Sequence, residues 1–84
     1  MPYAIKIKAS AAKALGKITG TDRTRIIDTI DRLAGEPHAG SALKGEFEGL
    51  RRIRVGDFRV IYEVDEGVLL VLVVRIAHRR EVYR

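Results

Sequence analysis

The chain has 84 residues, with 16 Lys and Arg against 11 Asp and Glu for a net charge of +5, and 46% of it is apolar. A chain of this length buries only about 60% of the surface that its unfolded form exposes. Two domains, a large cofactor fold or a barrel enzyme are therefore excluded, and one domain over residues 1–84 is expected. Cysteine is absent, so disulfides and thiolate metal sites are excluded as well. The longest apolar run covers residues 68–74, far short of a membrane span, and the opening MPYAIKIK has no apolar run of signal-peptide length. A cytoplasmic globule without a membrane partner is expected.

Residues 3–8 alternate, with Tyr3, Ile5 and Ile7 against Ala4, Lys6 and Lys8, which predicts a short strand. Ser10 is a candidate helix cap, and residues 11–18 carry Ala11, Ala14, Leu15 and Ile18 on one stripe. Gly20 and Thr21 break and recap the chain. A second helix then runs to about residue 34, its apolar side made by Ile26, Ile27, Ile30, Leu33 and Ala34. Gly35 and Pro37 stop it. Residues 36–48 lose the period and read as loop, and three strands follow at 50–55, 58–64 and 68–76. Gly56-Asp57 and Asp65-Glu66-Gly67 are the hairpin turns between them. The order β-α-α-β-β-β predicts an α+β fold, with the helical hairpin packed on one face of a mostly antiparallel four-stranded sheet.

The positive charge is unevenly placed. Residues 49–62 and residues 74–84 each carry a net +3, whereas the remainder carries −1. Every cation in those two segments is arginine, and all five lysines lie elsewhere. Arginine presents a planar fork that matches phosphate oxygens, so this distribution points to a phosphate-bearing partner.

A two-residue turn at Gly56-Asp57 pairs Val55 with Phe58, Arg54 with Arg59, Ile53 with Val60 and Arg52 with Ile61. Alternation then sends Ile53, Val55, Phe58, Val60 and Tyr62 to the core and Arg52, Arg54, Arg59 and Ile61 to the opposite face. A slip of one residue would bury three arginines, so the register is strongly specified. Arg54 opposite Arg59 is a repulsive cross-strand pair that an anion between them would turn into a chelate. A glycine bulge after a three-residue turn at 65–67 would bring Arg75 to the same face, and a longer strand would add Arg79. A solvated sheet face is the plain alternative, but such faces mix signs, and here Glu63 is the one acid expected among the arginines.

No cluster with metal-ligand spacing surrounds His38 or His78, and no phosphate-binding glycine loop precedes a helix, so neither metal nor cofactor is expected. RNA cleavage by the substrate's own 2′-hydroxyl requires neither: it needs charge stabilisation at phosphorus and two proton transfers. Arginines provide the first. The tail HRREVYR offers His78 and Tyr83 for the second.

The runs LKG at 43–45, RRIRVGDFRVIYEV at 51–64 and AHRREVYR at 77–84 resemble RelE-type toxins of the RelE/ParE superfamily, over essentially the whole chain. The resemblance implies a toxin encoded beside an antitoxin, which cleaves mRNA on the ribosome without metal and leaves a 2′,3′-cyclic phosphate. By position, Arg52 and Arg54 match the two basic residues of the family's second strand, and Arg59 matches its phosphate-binding arginine. Arg79 matches the proposed general acid or charge stabiliser, and Tyr83 the tyrosine proposed as general base or stacking residue. Arg51, Arg75, Arg80 and Lys44 are expected to add RNA contacts. The second-strand positions are often lysine in the family, and the chain ends one residue after Tyr83. The expected function is a ribosome-dependent mRNA endonuclease toxin with an antitoxin, the ribosome and mRNA as partners. Two alternatives are a ParE-like inhibitor of DNA gyrase and a non-catalytic RNA-binding module.

Overall fold

The computed structural model describes residues 2–80. Its elements are β1 (Ala4–Ile7), α1 (Ala9–Lys17), α2 (Gly20–Arg32), β2 (Ser41–Ala42), β3 (Arg51–Val55), β4 (Phe58–Asp65) and β5 (Leu70–His78), with one 3-10 turn at Gly45–Phe47. The α+β layering is as expected, but the sheet has five strands rather than four, in the order β1-β5-β4-β3-β2. The added strand, β2, is two residues long and lies inside the segment read as loop. Two residues carry no alternation to read; Ser41 and Ala42 become a strand because Arg52 and Arg51 present an open edge to them.

The helices also begin differently. Helix α1 starts at Ala9, which places Ser10 inside it, and Lys8 stands at the cap position without a side-chain cap bond. No described helix is long and apolar enough to cross a membrane. Strand β1 docks parallel to β5 at the edge of the sheet, from Ala4 opposite Leu70 to Ile7 opposite Val73.

Both helices cover one face of the sheet. Ala11 and Leu15 of α1 and Ile26 and Ile30 of α2 meet Val55, Val60, Tyr62, Val71, Val73 and Ile76, and Leu33 closes the cluster. Complete burial of such side chains is worth about 1.5–3 kcal/mol each, which makes this the main stabilising element.

The β3–β4 hairpin has the expected register, with Arg54 opposite Arg59 and Val55 opposite Phe58, and Gly56 takes the left-handed conformation at φ 59°. The β4–β5 connection departs from expectation. Asp65 pairs with Leu70, so residues 66–69 form the loop. The Asp65 carboxylate accepts from the backbone N–H of Gly67 at 3.0 Å and of Val68 at 3.3 Å. Leu69, not Gly67, adopts positive φ, at 53°.

The bulge lies instead within β5. Ile61 pairs with Arg75 whereas Tyr62 pairs with Val73, leaving Val74 as the extra residue. It reverses the alternation of β5 halfway along. Val71, Val73 and Ile76 can then all be buried while Arg75 stays exposed on the other side.

Tyr62 ties the loop before β2 to this core. It is fully buried, and its hydroxyl donates to the Pro37 carbonyl at 2.9 Å and accepts from the Gly40 N–H at 3.0 Å. Only glycine fits at position 40, because a Cβ would lie 2.5 Å from the Arg52 carbonyl oxygen and 2.7 Å from the Tyr62 hydroxyl.

Candidate nucleic-acid interface

The face of the sheet turned away from the helices receives Arg52 and Arg54 from β3, Arg59 from β4 and Arg75 from β5. Arg52 and Arg75 flank Ile61 in register, and one step on, Arg59 lies between Arg54 and Ala77. Ile61 is only 4% exposed although it belongs to this face and not to the core cluster. The four cations around it, drawn from three adjacent strands, form one basic surface. Glu63 is exposed on the same side, beyond Ile61 and away from Arg54 and Arg59.

Arg79 joins the hairpin end of this surface. Its backbone N–H donates to the Asp57 carbonyl at 2.7 Å, so the chain leaving β5 is tied to the β3–β4 turn. Arg80 follows, exposed, with its N–H donating to Nδ1 of His78 at 3.3 Å.

Three expected residues are placed elsewhere. Arg51 pairs with Tyr62, on the helix-covered side, and its guanidinium donates to the carbonyls of His38 at 3.0 Å and Gly40 at 2.5 Å. It holds the loop before β2 rather than the open face, and its Nε has no hydrogen-bond partner among the described residues. His78 pairs with Phe58, with the two rings edge-to-face at 5.7 Å, and lines a groove with Lys17, Ile18 and Asp22 on the helix side. The sheet therefore separates His78 from Arg59. Lys44 is exposed just before the 3-10 turn, two residues past β2 and toward the Arg51 end of β3. Tyr83 lies outside the described residues.

His38 contacts the Glu66 carboxylate at 2.8 Å, with both side chains exposed, at the opposite end of β4 from Arg59. Among the described residues, no group of three or more His, Cys, Asp or Glu side chains is placed to hold a metal ion.

The sequence reading overlooked Arg25. Its guanidinium reaches within 3.5 Å of where a Cβ on Gly56 would sit, beside the turn that joins Arg54 to Arg59. The available signal was the spacing of Arg25 and Arg32, seven residues apart on one helix face, in a part of the chain that is close to neutral overall.

Comparison with known proteins supplies the family. The sequence profile described as the ParE toxin of type II toxin–antitoxin systems, parDE, matches residues 5–83. Toxin RelE of Mycobacterium tuberculosis is 34% identical over 99% of this chain and 88% of its own length. Toxin RelG of the same organism is 28% identical over 100% of this chain and 99% of its own length. Among solved structures, a chain of the RelBE2 toxin–antitoxin complex of M. tuberculosis superposes with a TM-score of 0.87 at 26% identity, over 94% of this chain and 100% of that one. A chain of the archaeal RelE–RelB complex of Pyrococcus horikoshii gives 0.79 at 27% identity, over 96% and 99%. The α+β fold, the strand order and the arginine-bearing hairpin are thus set in a chain that belongs to the ParE toxin family and is a RelE-type toxin of a type II toxin–antitoxin module.

Proposed function

We propose that this toxin is a ribosome-dependent mRNA endonuclease that acts in the cytoplasm without metal and cleaves by attack of the 2′-hydroxyl on the adjacent phosphorus. The observation that carries the reading is the Arg54–Arg59 pair, near the hairpin end of a sheet face that also bears Arg52 and Arg75. Two like charges held opposite one another are repulsive until an anion enters between them. A phosphodiester is such an anion, and the dianionic phosphorane formed on attack carries more charge than the ground state. The pair therefore binds the transition state more strongly than the substrate, the condition for acceleration.

In the reaction, the bond from the 2′-oxygen to phosphorus forms and the bond to the 5′-oxygen breaks. The products are a 2′,3′-cyclic phosphate and a free 5′-hydroxyl. One proton leaves the 2′-hydroxyl and one reaches the 5′-oxygen. Arginine stays charged at any usable pH, so Arg54 and Arg59 act as electrostatic groups and not as bases. Arg79, beside the β3–β4 turn, is assigned to stabilise the charge on the leaving oxygen, which takes its proton from water, and Tyr83 to accept the proton of the 2′-hydroxyl, as the family resemblance implies. The position of His78 on the helix side argues against it as the base.

A cognate antitoxin is the expected partner, since the toxins of the M. tuberculosis and P. horikoshii structures are each found with one. The test is expression without the antitoxin. The reading expects translation to stop and mRNA to be cut inside translated regions with 2′,3′-cyclic ends. The ParE profile match favours one other reading, inhibition of DNA gyrase; loss of supercoiling with intact mRNA would select it.

A further inference from the structure

We infer a second phosphodiester-binding site, a cleft between α2 and the edge of β3 formed by Arg25, Arg32 and Arg54, which holds an RNA backbone apart from the phosphate that reacts. It rests on the RNA-cleaving function proposed above and extends it to residues of α2.

The cleft exists because β2 is so short. Its two residues cover only Arg51 and Arg52, and among the described residues no strand lies beyond the rest of β3, through Val55. Helix α2 lies along that uncovered stretch. The result is an open concavity of about 240 Å³ lined by Arg25, Asp28, Thr29 and Arg32 of the helix and by Arg54 and Val55 of the strand. All three arginines are exposed.

Arg25 and Arg32 lie two helical turns apart, about 10 Å along the axis. Asp28 stands between them, yet none of the three arginines is held in an ion pair by a described residue. No described carboxylate therefore occupies these guanidinium groups, and the cleft's lining has an excess of two positive charges. Its ligand class follows from what it adjoins. Arg54 belongs both to this cleft and to the pair with Arg59, so the concavity is continuous with the reactive face around the β3 edge. A polyanion crossing from one to the other presents phosphates to both, and arginine forks suit them.

The experiment compares the wild-type toxin with R25Q/R32Q, which leaves Arg54 in place. A K13Q/K17Q variant removes the same charge from α1. Binding is followed with a fluorescent 2′-O-methyl oligoribonucleotide, which cannot be cleaved, and with mRNA-loaded ribosomes, at about 50 to about 200 mM salt. Circular dichroism confirms that each variant is folded. R25Q/R32Q is expected to bind about tenfold more weakly, with a salt slope reduced by about 1.4 on the single strand, while K13Q/K17Q changes affinity less than about twofold.

A loss on the oligoribonucleotide identifies the cleaved strand as the occupant. A loss on ribosomes alone identifies ribosomal RNA. Binding and cleavage are scored separately, so a toxin that binds RNA through this cleft but cuts none would retain the site and lose the endonuclease reading. Wild-type affinity and salt slope in R25Q/R32Q on both probes would overturn the site. An equal loss in K13Q/K17Q would also overturn it, as would a loss confined to binding of the purified antitoxin.

Discussion

On the helix-covered face of the sheet Val60, Tyr62, Val71 and Val73 are fully buried, whereas on the opposite face of the same strands four arginines surround one buried apolar residue, Ile61. The first face is chosen by the removal of apolar surface from water, and any polar intrusion there is costly. The second contains a like-charge pair that opposes stability, and under the proposed function its composition answers to a phosphate. Neighbouring residues of one strand, such as Arg59 and Val60, therefore serve opposite demands.

Substitutions on each face sharpen that contrast. Val60→Asp has the largest expected effect: an unpaired carboxylate at a fully buried position should cost more than about 4 kcal/mol and abolish cooperative unfolding in urea. A folded V60D protein would mean that the register of β4 is misplaced. Tyr62→Phe comes next. It keeps the ring in the core but strips two partners, the Pro37 carbonyl and the Gly40 N–H, and should cost about 1–3 kcal/mol. Hydrogen exchange should show lost protection at Gly40, and unchanged protection would dissociate the loop from the tyrosine. Arg54→Gln has the smallest effect and the opposite sign. Relief of its repulsion with Arg59 should raise stability by a few tenths of a kcal/mol in urea denaturation while weakening RNA binding. A fall in stability would show that the pair is not repulsive in the free protein.

Much of this organisation was legible in the sequence. Alternation combined with the Gly56-Asp57 turn determines which residues of β3 and β4 share a face, because both are local properties. What escaped depends on distant partners. Strand β2 exists only where Arg51 and Arg52 offer it an edge, and the docking of β1 beside β5 joins the two ends of the described chain. The bulge at Val74 reverses the alternation of β5, so no count from the turn could place His78 with Phe58 and away from Arg59. Arg51 looks in the sequence like a further member of the arginine run. Its pairing with Tyr62 turns it toward the carbonyls of His38 and Gly40 instead. The hairpin arginines were readable as a surface, but the contribution of α2 was not, because it needs the gap left beyond β2.

The most direct test of the arginine face is Arg59→Ala, assayed beside the wild type on translating ribosomes with RNA ends mapped by their chemistry. Arg59 faces away from the core, so the substitution should change stability by less than about 0.5 kcal/mol. The wild type should generate 2′,3′-cyclic ends within translated mRNA, and the folded R59A protein should generate none. Undiminished cleavage by folded R59A would contradict the assignment of this face as the reactive site.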